Sequence, residues 1–504
     1  MPGSVSRSQS GLSQSSFSSA PSVVSRFEDG ASNELLDWGE GFVVGVYGVL
    51  FTIVKERYNT GVRWLLIKLA LDFAQLFTVV FKPSDGWIID EDLWLWKLLR
   101  MLQFVDWIRP RGYSIFLAAL YTMIGLLAVA VALSAWVAWC FQHRSFPFVW
   151  PIKVLRVYAN IFFHVLDVAT LTLLQLPFDC RWIGYRQEVQ NHLAIFPSMV
   201  CTEMPHVAHM SAAGLALLTY LVMALCNLMA DFELNPTTRN LYAISNSEVE
   251  VRAFGVKFLM TVFTYAVGWR KVQNLLELCL SCYLAWLYLK WQPHLFGWVN
   301  HLRVGLYCSI ATVSVGSVML SFRPDATKPF RQATTTALLA SMGVMLVLGA
   351  AASYVRLKLW SNYVLMRYRT APAGQKARRI YKFKDAREVE IVARVCRRWT
   401  DQHYELLDVK AAKEAEIIIK GGMQLFPDSA YMRITYVNFL IDVLESSQTG
   451  YSQLQTAKKC NPNLIERFAI FAREQASRGR CAGASGRAGG RAPAGAPLAG
   501  PGSA

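Results

Sequence analysis

Four polar side chains inside an otherwise apolar run raise the chemical question. Arg156, Asn160, His164 and Asp167 follow one another at steps of four, four and three residues. That spacing aligns side chains on one face of a helix. The surrounding run, 154–176, is long and apolar enough for a membrane span. Ionisable groups are costly in hydrocarbon and face a bundle interior or an aqueous cavity. The stripe therefore has two readings. In one it lines an ion or proton path, or a ligand site between helices. In the other it is internal glue, with His164 and Asp167 hydrogen-bonded to neighbouring helices and Arg156 snorkelling to the interface.

Other reactive residues point to less. The polar loop 177–210 holds Cys180 and Cys201, which pair if the loop faces an oxidising compartment and stay free thiols otherwise. His206 and His209 stand three apart, as metal ligands can, but no further ligand cluster accompanies them, so no metal is assigned. Cys279 and Cys282 form a CxxC inside an apolar helix, which reads as a core face rather than a redox site. The chain has no GxxxxGK[ST], HExxH or GxSxG. Phosphate cradling, zinc hydrolysis and acyl transfer thus find no support. No catalytic residue, no cofactor and no enzyme activity is expected.

The elements that must position these residues are those of a membrane protein. The stretch 113–141, YSIFLAALYTMIGLLAVAVALSAWVAWCF, contains no charge, and about 20 apolar residues suffice to span a bilayer. Composition agrees: 54% of the 504 residues are hydrophobic and 17% charged, against about 25% charged in a soluble domain. Mean hydropathy is +0.28. Further spans are expected at 64–81, 154–176, 212–230, 253–269, 275–291, 304–322 and 334–355, eight in all, with seven or nine as alternative counts. Lys68 and Asp72 sit four apart on the first and could pair. The run 41–54 is short for a span and suits an interfacial or re-entrant segment. Residues 93–108, with one apolar face and three tryptophans, suit a helix lying on the membrane surface.

Orientation rests on the segment after the last span. Arg356, Lys358, Arg367, Arg369, Lys376, Arg378, Arg379, Lys382 and Lys384 occur there without any Asp or Glu. Such charge marks the cytoplasmic side and suits anionic lipid. Its place beside a membrane speaks against a nucleic-acid patch. The C-terminal part is then cytosolic, and an even number of spans puts the 180–201 loop on the other side.

The domain plan is a Ser-rich disordered tail (1–34), a multi-pass block (35–356), a basic juxtamembrane linker (357–386), a soluble helical module (387–477) and a Gly/Ala/Pro/Arg tail (478–504) with nothing to bury. In the module Val389, Val392, Cys396 and Trp399 share one helical face. Asp408 caps the next helix, and Asp428 or Ser429 the one after. Pro427 and Pro462 lie 35 positions apart, close to the 34-residue period of tetratricopeptide helix pairs. A helix-pair array offers a groove for another protein, so a cytosolic partner is expected at 387–477. The fold class is all-α: a polytopic bundle followed by a TPR-like module.

The stretch FPDSAYMRITYVNFLIDVLESSQTGYSQLQTAKKCNPNLIERFAIFAREQ (426–475) resembles the repeat region of TmcB/TmcC-type (tiny macrocysts) membrane proteins, known from green algae and slime moulds. ARRIYKFKDAREVEIVARVCRRW, FELNPTTRN and WVNHLRVGLY resemble other parts of them. The likeness covers most of 40–476. It implies a multi-pass block followed by cytosolic TPR-like repeats, and longer members continue into PAS-type sensor regions. It carries no biochemical activity to a residue. The 478–504 tail departs from the family and has the look of a truncated or misread gene end. The functional expectation is a signalling, sensor or scaffold component; the alternative is a transporter or channel built on the polar stripe.

Overall fold

The computed structural model describes residues 41–54, 61–88, 92, 97, 108–143, 145–185, 188–372, 374–400 and 407–488. The serine tail, all but Lys97 and Ile108 of the expected surface helix, and residues 489–504 lie outside these. Contacts divide the chain into Met1–Val46 and Tyr47–Ala504; the account below concerns the second unit.

The chain is all-α. Helix α1, Gly41–Val54, is apolar and short. Then come α2 (Val62–Val80), α3 (Tyr113–Gln142), α4 (Trp150–Phe162) and α5 (Asp167–Gln175). The helices α6 (His206–Ala230), α7 (Ser247–Ala266), α8 (Arg270–Trp291), α9 (Gly297–Ser321) and α10 (Lys328–Thr370) complete the apolar block. Five of them, α3, α6, α8, α9 and α10, are long and apolar enough to cross a membrane, and the bent pair α4–α5 makes a sixth if counted as one. The expected count of eight included α2 and the region of α7. Both lie in the bundle, but Lys68 and Asp72 on α2 and Glu250 and Lys257 on α7 are charges turned inward, and these lower their apolarity.

Two apolar cores hold the block. One joins α3 to α6 through Phe116, Leu120, Leu171 and Tyr220. The other joins α2, α7, α8 and α9 through Leu76, Met260, Leu284 and Ile310. Glycines let α9 and α10 approach closely: a Cβ on Gly349 would stand 2.8 Å from Cys308 Sγ, and one on Gly305 would strike the Leu346 carbonyl. Small residues serve membrane helix packing in this way.

Three expectations need correction. The 154–176 run is not one helix: it breaks between Phe162 and Asp167, and its halves meet at 80°. The 177–210 segment is not all loop, since β1 (Cys180–Tyr185) and β2 (Glu188–Leu193) pair antiparallel. The basic linker is helical over its first half, 357–370. Helix α10 continues through it to Thr370, about 65 Å at 1.5 Å per residue. Lysine and arginine favour helix, so charge ends the span without ending the helix; Pro372 follows the last turn.

The C-terminal module comprises α11 (Ala377–Ile380), α12 (Ala386–Ala393), α13 (Val409–Leu425), α14 (Ala430–Asp442), α15 (Ser447–Lys458) and α16 (Leu464–Ala488). Asp385, Asp408 and Ser429 cap α12, α13 and α14 by accepting from Arg387 N, Lys410 N and Met432 N. Asn463 and Glu466 exchange backbone bonds at the start of α16. Helix α12 ends before Trp399, which pairs with Leu407 in an isolated bridge instead of extending the helical face. Helix α16 runs on through Ala488, past the boundary where a disordered tail was expected. Val364, Leu365 and Tyr368 of α10 are buried in this module's core beside Val389, Ile418 and Phe439.

Candidate functional site

The break between α4 and α5 frees backbone groups that a bilayer cannot satisfy. Side chains from other helices take them. Gln75 on α2 donates to Val165 O and accepts from Ala169 N at 3.0 Å. Tyr220 on α6 donates to Phe162 O at 2.7 Å. Neither residue was singled out in the sequence. A glutamine and a tyrosine inside apolar runs were the only signal.

The break also separates the four members of the stripe. Arg156, on α4, reaches the carbonyls of Thr52 and Ile53 at 3.2 and 3.1 Å, the C-terminal end of α1. Asn160 is half-buried one turn further on. His164, in the break, meets Asp231 at 3.2 Å. Asp167 opens α5 and receives Lys257 Nζ at 2.8 Å. Arg156 thus caps a helix, while His164 and Asp167 belong to the interior.

Lys257 is the hub. It also donates to Asp72, which in turn accepts from Tyr307 OH at 3.1 Å. Asp72 therefore turns to α7 and α9, whereas Lys68 lies over the Tyr242 ring, 3.4 Å from its centroid. Tyr307 packs against Tyr288 with ring centroids 5.0 Å apart and the planes tilted by 48°. Tyr288 OH donates to Glu250 at 2.8 Å and accepts from Arg303 at the same distance. Arg303 donates to Glu250 as well, and to His294 Nε2 at 3.1 Å. Carboxylates Asp72 and Asp167 are thereby paired with Lys257 and Glu250 with Arg303, all buried. Such pairing is the condition for tolerating ions away from water.

His294 lies in the turn between α8 and α9. Burial, then Arg303, Lys68 and Arg394, hold its imidazole well below the usual histidine range. It is neutral and accepts from Arg303, so its 3.6 Å approach to Glu250 is not an ion pair.

From here the network leaves the block. Arg394 donates to the carbonyls of Gln292 and His294 at 2.8 and 2.7 Å and forms a two-point pair with Glu390 at 2.9 and 2.7 Å. Ser245 Oγ donates to Glu390 at 3.0 Å. Arg397 reads the carbonyls of Pro236 and Thr238, and its burial lowers its pKa to about 10. Arg473 donates to Leu234 O at 2.9 Å, and Arg387 pairs with Glu248. The segment 232–246, which read as an ordinary loop, is the surface on which the module sits. The FELNPTTRN motif supplies Leu234, Pro236 and Thr238 to it.

Cys180 and Cys201 are joined as a disulfide. Their sulfurs and His206 form a set within 4.8 Å. The thiols are consumed and the His206 nitrogens face Tyr113 OH at 3.0 Å and Pro177 O at 3.1 Å. The set does not fit a metal. His209 turns to Tyr121 instead, at 2.7 Å.

The basic residues after the span divide. Arg369 grips Glu414 at 2.7 and 2.8 Å, Arg356 donates to Leu289 O at 2.7 Å, and Arg367 lies 5.9 Å from the Tyr363 ring centroid. Lys358 donates to Tyr354 OH at 2.7 Å. Lys376, Arg378, Arg379, Lys382 and Lys384 are exposed.

The chain is similar to two proteins of Dictyostelium discoideum. It is 20% identical to Tiny macrocysts protein B over 91% of its own length and 35% of that protein's. It is 19% identical to Tiny macrocysts protein C, over 85% and 34% respectively. The chain thus spans about a third of the length of these relatives. No family model and no solved structure matches it.

Proposed function

We propose that this relative of the Tiny macrocysts proteins is a membrane-embedded signalling or scaffold component whose TPR-like module is cytosolic and recruits a protein partner. One observation carries the reading. Hydrogen bonds run from the module's Glu390–Arg394 pair, through the His294 turn, to the buried ions around Arg303 and Glu250. A change among the intramembrane charges thus has a bonded route to the module. Hydrogen-bond and salt-bridge networks of this kind are one physical means by which two sites are coupled.

The partner surface in this reading is the outer face of α13, where Val409, Lys410, Lys413, Ile417 and Lys420 are exposed. Apolar anchors ringed by lysine suit a partner with an acidic, partly apolar surface. Lys376, Arg378, Arg379, Lys382 and Lys384 would face anionic lipid headgroups. A photoreactive amino acid at Ile417 in the full-length protein, activated in intact cells, tests the reading. A discrete protein adduct, lost when Lys413 and Lys420 become Glu, is expected. No adduct above that of the same probe at lipid-facing Leu218 would end the proposal.

A second reading has one observation in its favour. A helix broken beside ionisable groups is the arrangement of transporter binding sites, and Asp167 Oδ1 has no hydrogen-bond partner. Cation flux into proteoliposomes, abolished by Asp167→Asn, would replace the first reading; absence of flux in the unaltered protein would remove the second.

A further inference from the structure

At the end of the bundle opposite the module lies a second polar cluster that the charge network does not include. Helix α8 spans between the two, with Arg270 at one end and Gln292, held by Arg394, at the other. The segment after α2 tucks Asp85 against the start of α8, with its side chain fully enclosed.

Hydrogen bonding there is out of balance. Lys82 donates to Glu277 Oε1 at 2.5 Å, and the same oxygen accepts from Gln273 at 3.1 Å and Thr264 at 3.2 Å. Asn274 spends one of its two amide N–H groups on Ser317 O at 3.2 Å. Arg270 donates to Ser84 O, and its Nε stays 3.8 Å from Asp85. These bonds leave both Asp85 oxygens, Asn274 Oδ1 and Glu277 Oε2 buried without a hydrogen bond. Unpaired buried acceptors cost on the order of 1–3 kcal/mol each, and more for a charged group.

The geometry points to Asp85 as a proton-binding site, a carboxyl that becomes a hydrogen-bond donor within this acceptor-rich cluster when protonated. A proton needs no cavity. It converts one of four orphan acceptors into the missing donor and removes an enclosed negative charge at once. The charged groups facing Asp85 are Lys82 on its own segment and Arg270 and Glu277 on α8, while the guanidinium of Arg331 on α10 lies beside the next residue, Gly86. Helix α9 contributes the uncharged Ser317, which accepts from Trp87 at 3.2 Å. Burial pushes the Asp85 carboxyl up to about 6 and Glu277 adds to this, against the pull of Lys82, Asn274 and Arg270. Exposed Ser84 and Arg270 beside it give the proton a route from solvent.

Infrared difference spectra of the full-length protein in nanodiscs, titrated from pH 8 to pH 5, test the assignment. A protonated-carboxyl C=O stretch should grow in with a midpoint near 6 and be missing in Asp85→Asn. A band unchanged in that variant overturns the proposal. So does a midpoint that shifts with sodium or calcium concentration, which would mark a metal site. If Asp85→Asn does not fold, Arg270→Gln decides, because Arg270 is largely exposed. Losing the nearest guanidinium should raise the midpoint by ~0.5–1 unit, and an unmoved midpoint overturns the assignment.

Discussion

Gln75 serves two backbone groups with one side chain. It pairs Val165 O and Ala169 N across the gap between α4 and α5. Gln75→Leu would leave both unpaired in a dry interior, at ~1–3 kcal/mol for each. The unfolding temperature in detergent should drop sharply, whereas Gln175→Leu on α5, whose amide has no hydrogen bond, should change it little. Lys257 is a harsher case. Lys257→Met strands Asp72 and Asp167 together, and breaking such a buried pair costs ~3–5 kcal/mol. The triple change with Asp72→Asn and Asp167→Asn should recover much of that loss; failure to recover would show that Lys257 acts through something other than charge. Asp85 sets a pH dependence. Its folded pKa, raised from 3.8 to about 6, means the native state binds the proton more tightly than the unfolded chain. That stabilisation is complete below the unfolded value and disappears as pH rises through 6. It amounts to up to ~3 kcal/mol. Asp85→Asn should therefore unfold at a higher temperature than the unaltered protein at pH 8, keep about half of that advantage at pH 5 and lose it only below about pH 4. His164 and Asp167 were legible because ionisable residues stand out in an apolar run. Their partners were not. Asp167 and Lys257 are 90 residues apart, and nothing local marks such a pair.

At the scale of elements, periodicity worked where a helix has one wet face and failed where both are buried or lipid-covered. The caps Asp408 and Ser429 could be read directly, because a cap is a local event. The break in α4–α5 could not. Apolar residues continue through it, and the groups that stabilise it come from α2 and α6. Helix α7 was displaced for a related reason: Glu250 looked like loop because acids rarely enter a bundle, although Glu250 and Lys257 stand two turns apart on one face. The α9–α10 contact depends on missing side chains. Gly349→Leu would drive carbon into Cys308, and overpacking of this sort costs ~1–3 kcal/mol. Thermal melts should show that loss, while Gly343→Leu on the same helix, with open space around it, should show none.

For the whole molecule, the distinctive feature is how the module is held. Across the docking surface Arg394 and Arg397 bind mainly backbone carbonyls, with Ser245 Oγ the one side chain Arg394 also meets there, so the docking depends largely on backbone shape at 236–238 and 292–294. Arg394→Ala with Arg397→Ala should leave the apolar block folded and make the connection around 371–376 quickly cleavable by protease; equal cleavage rates would show that the α10 contacts alone suffice. Helix α10 itself carries a mechanical consequence. One unbroken rod starts at Lys328, passes exposed apolar Val344, Val347 and Leu348, and places Val364 and Tyr368 inside the module core near its far end. It has no joint in between. A bilayer that thins obliges an apolar rod to lean, and a lean at one end of a stiff rod swings the other. Lipid tail length alone would then reposition the module's face, with no ligand bound at all.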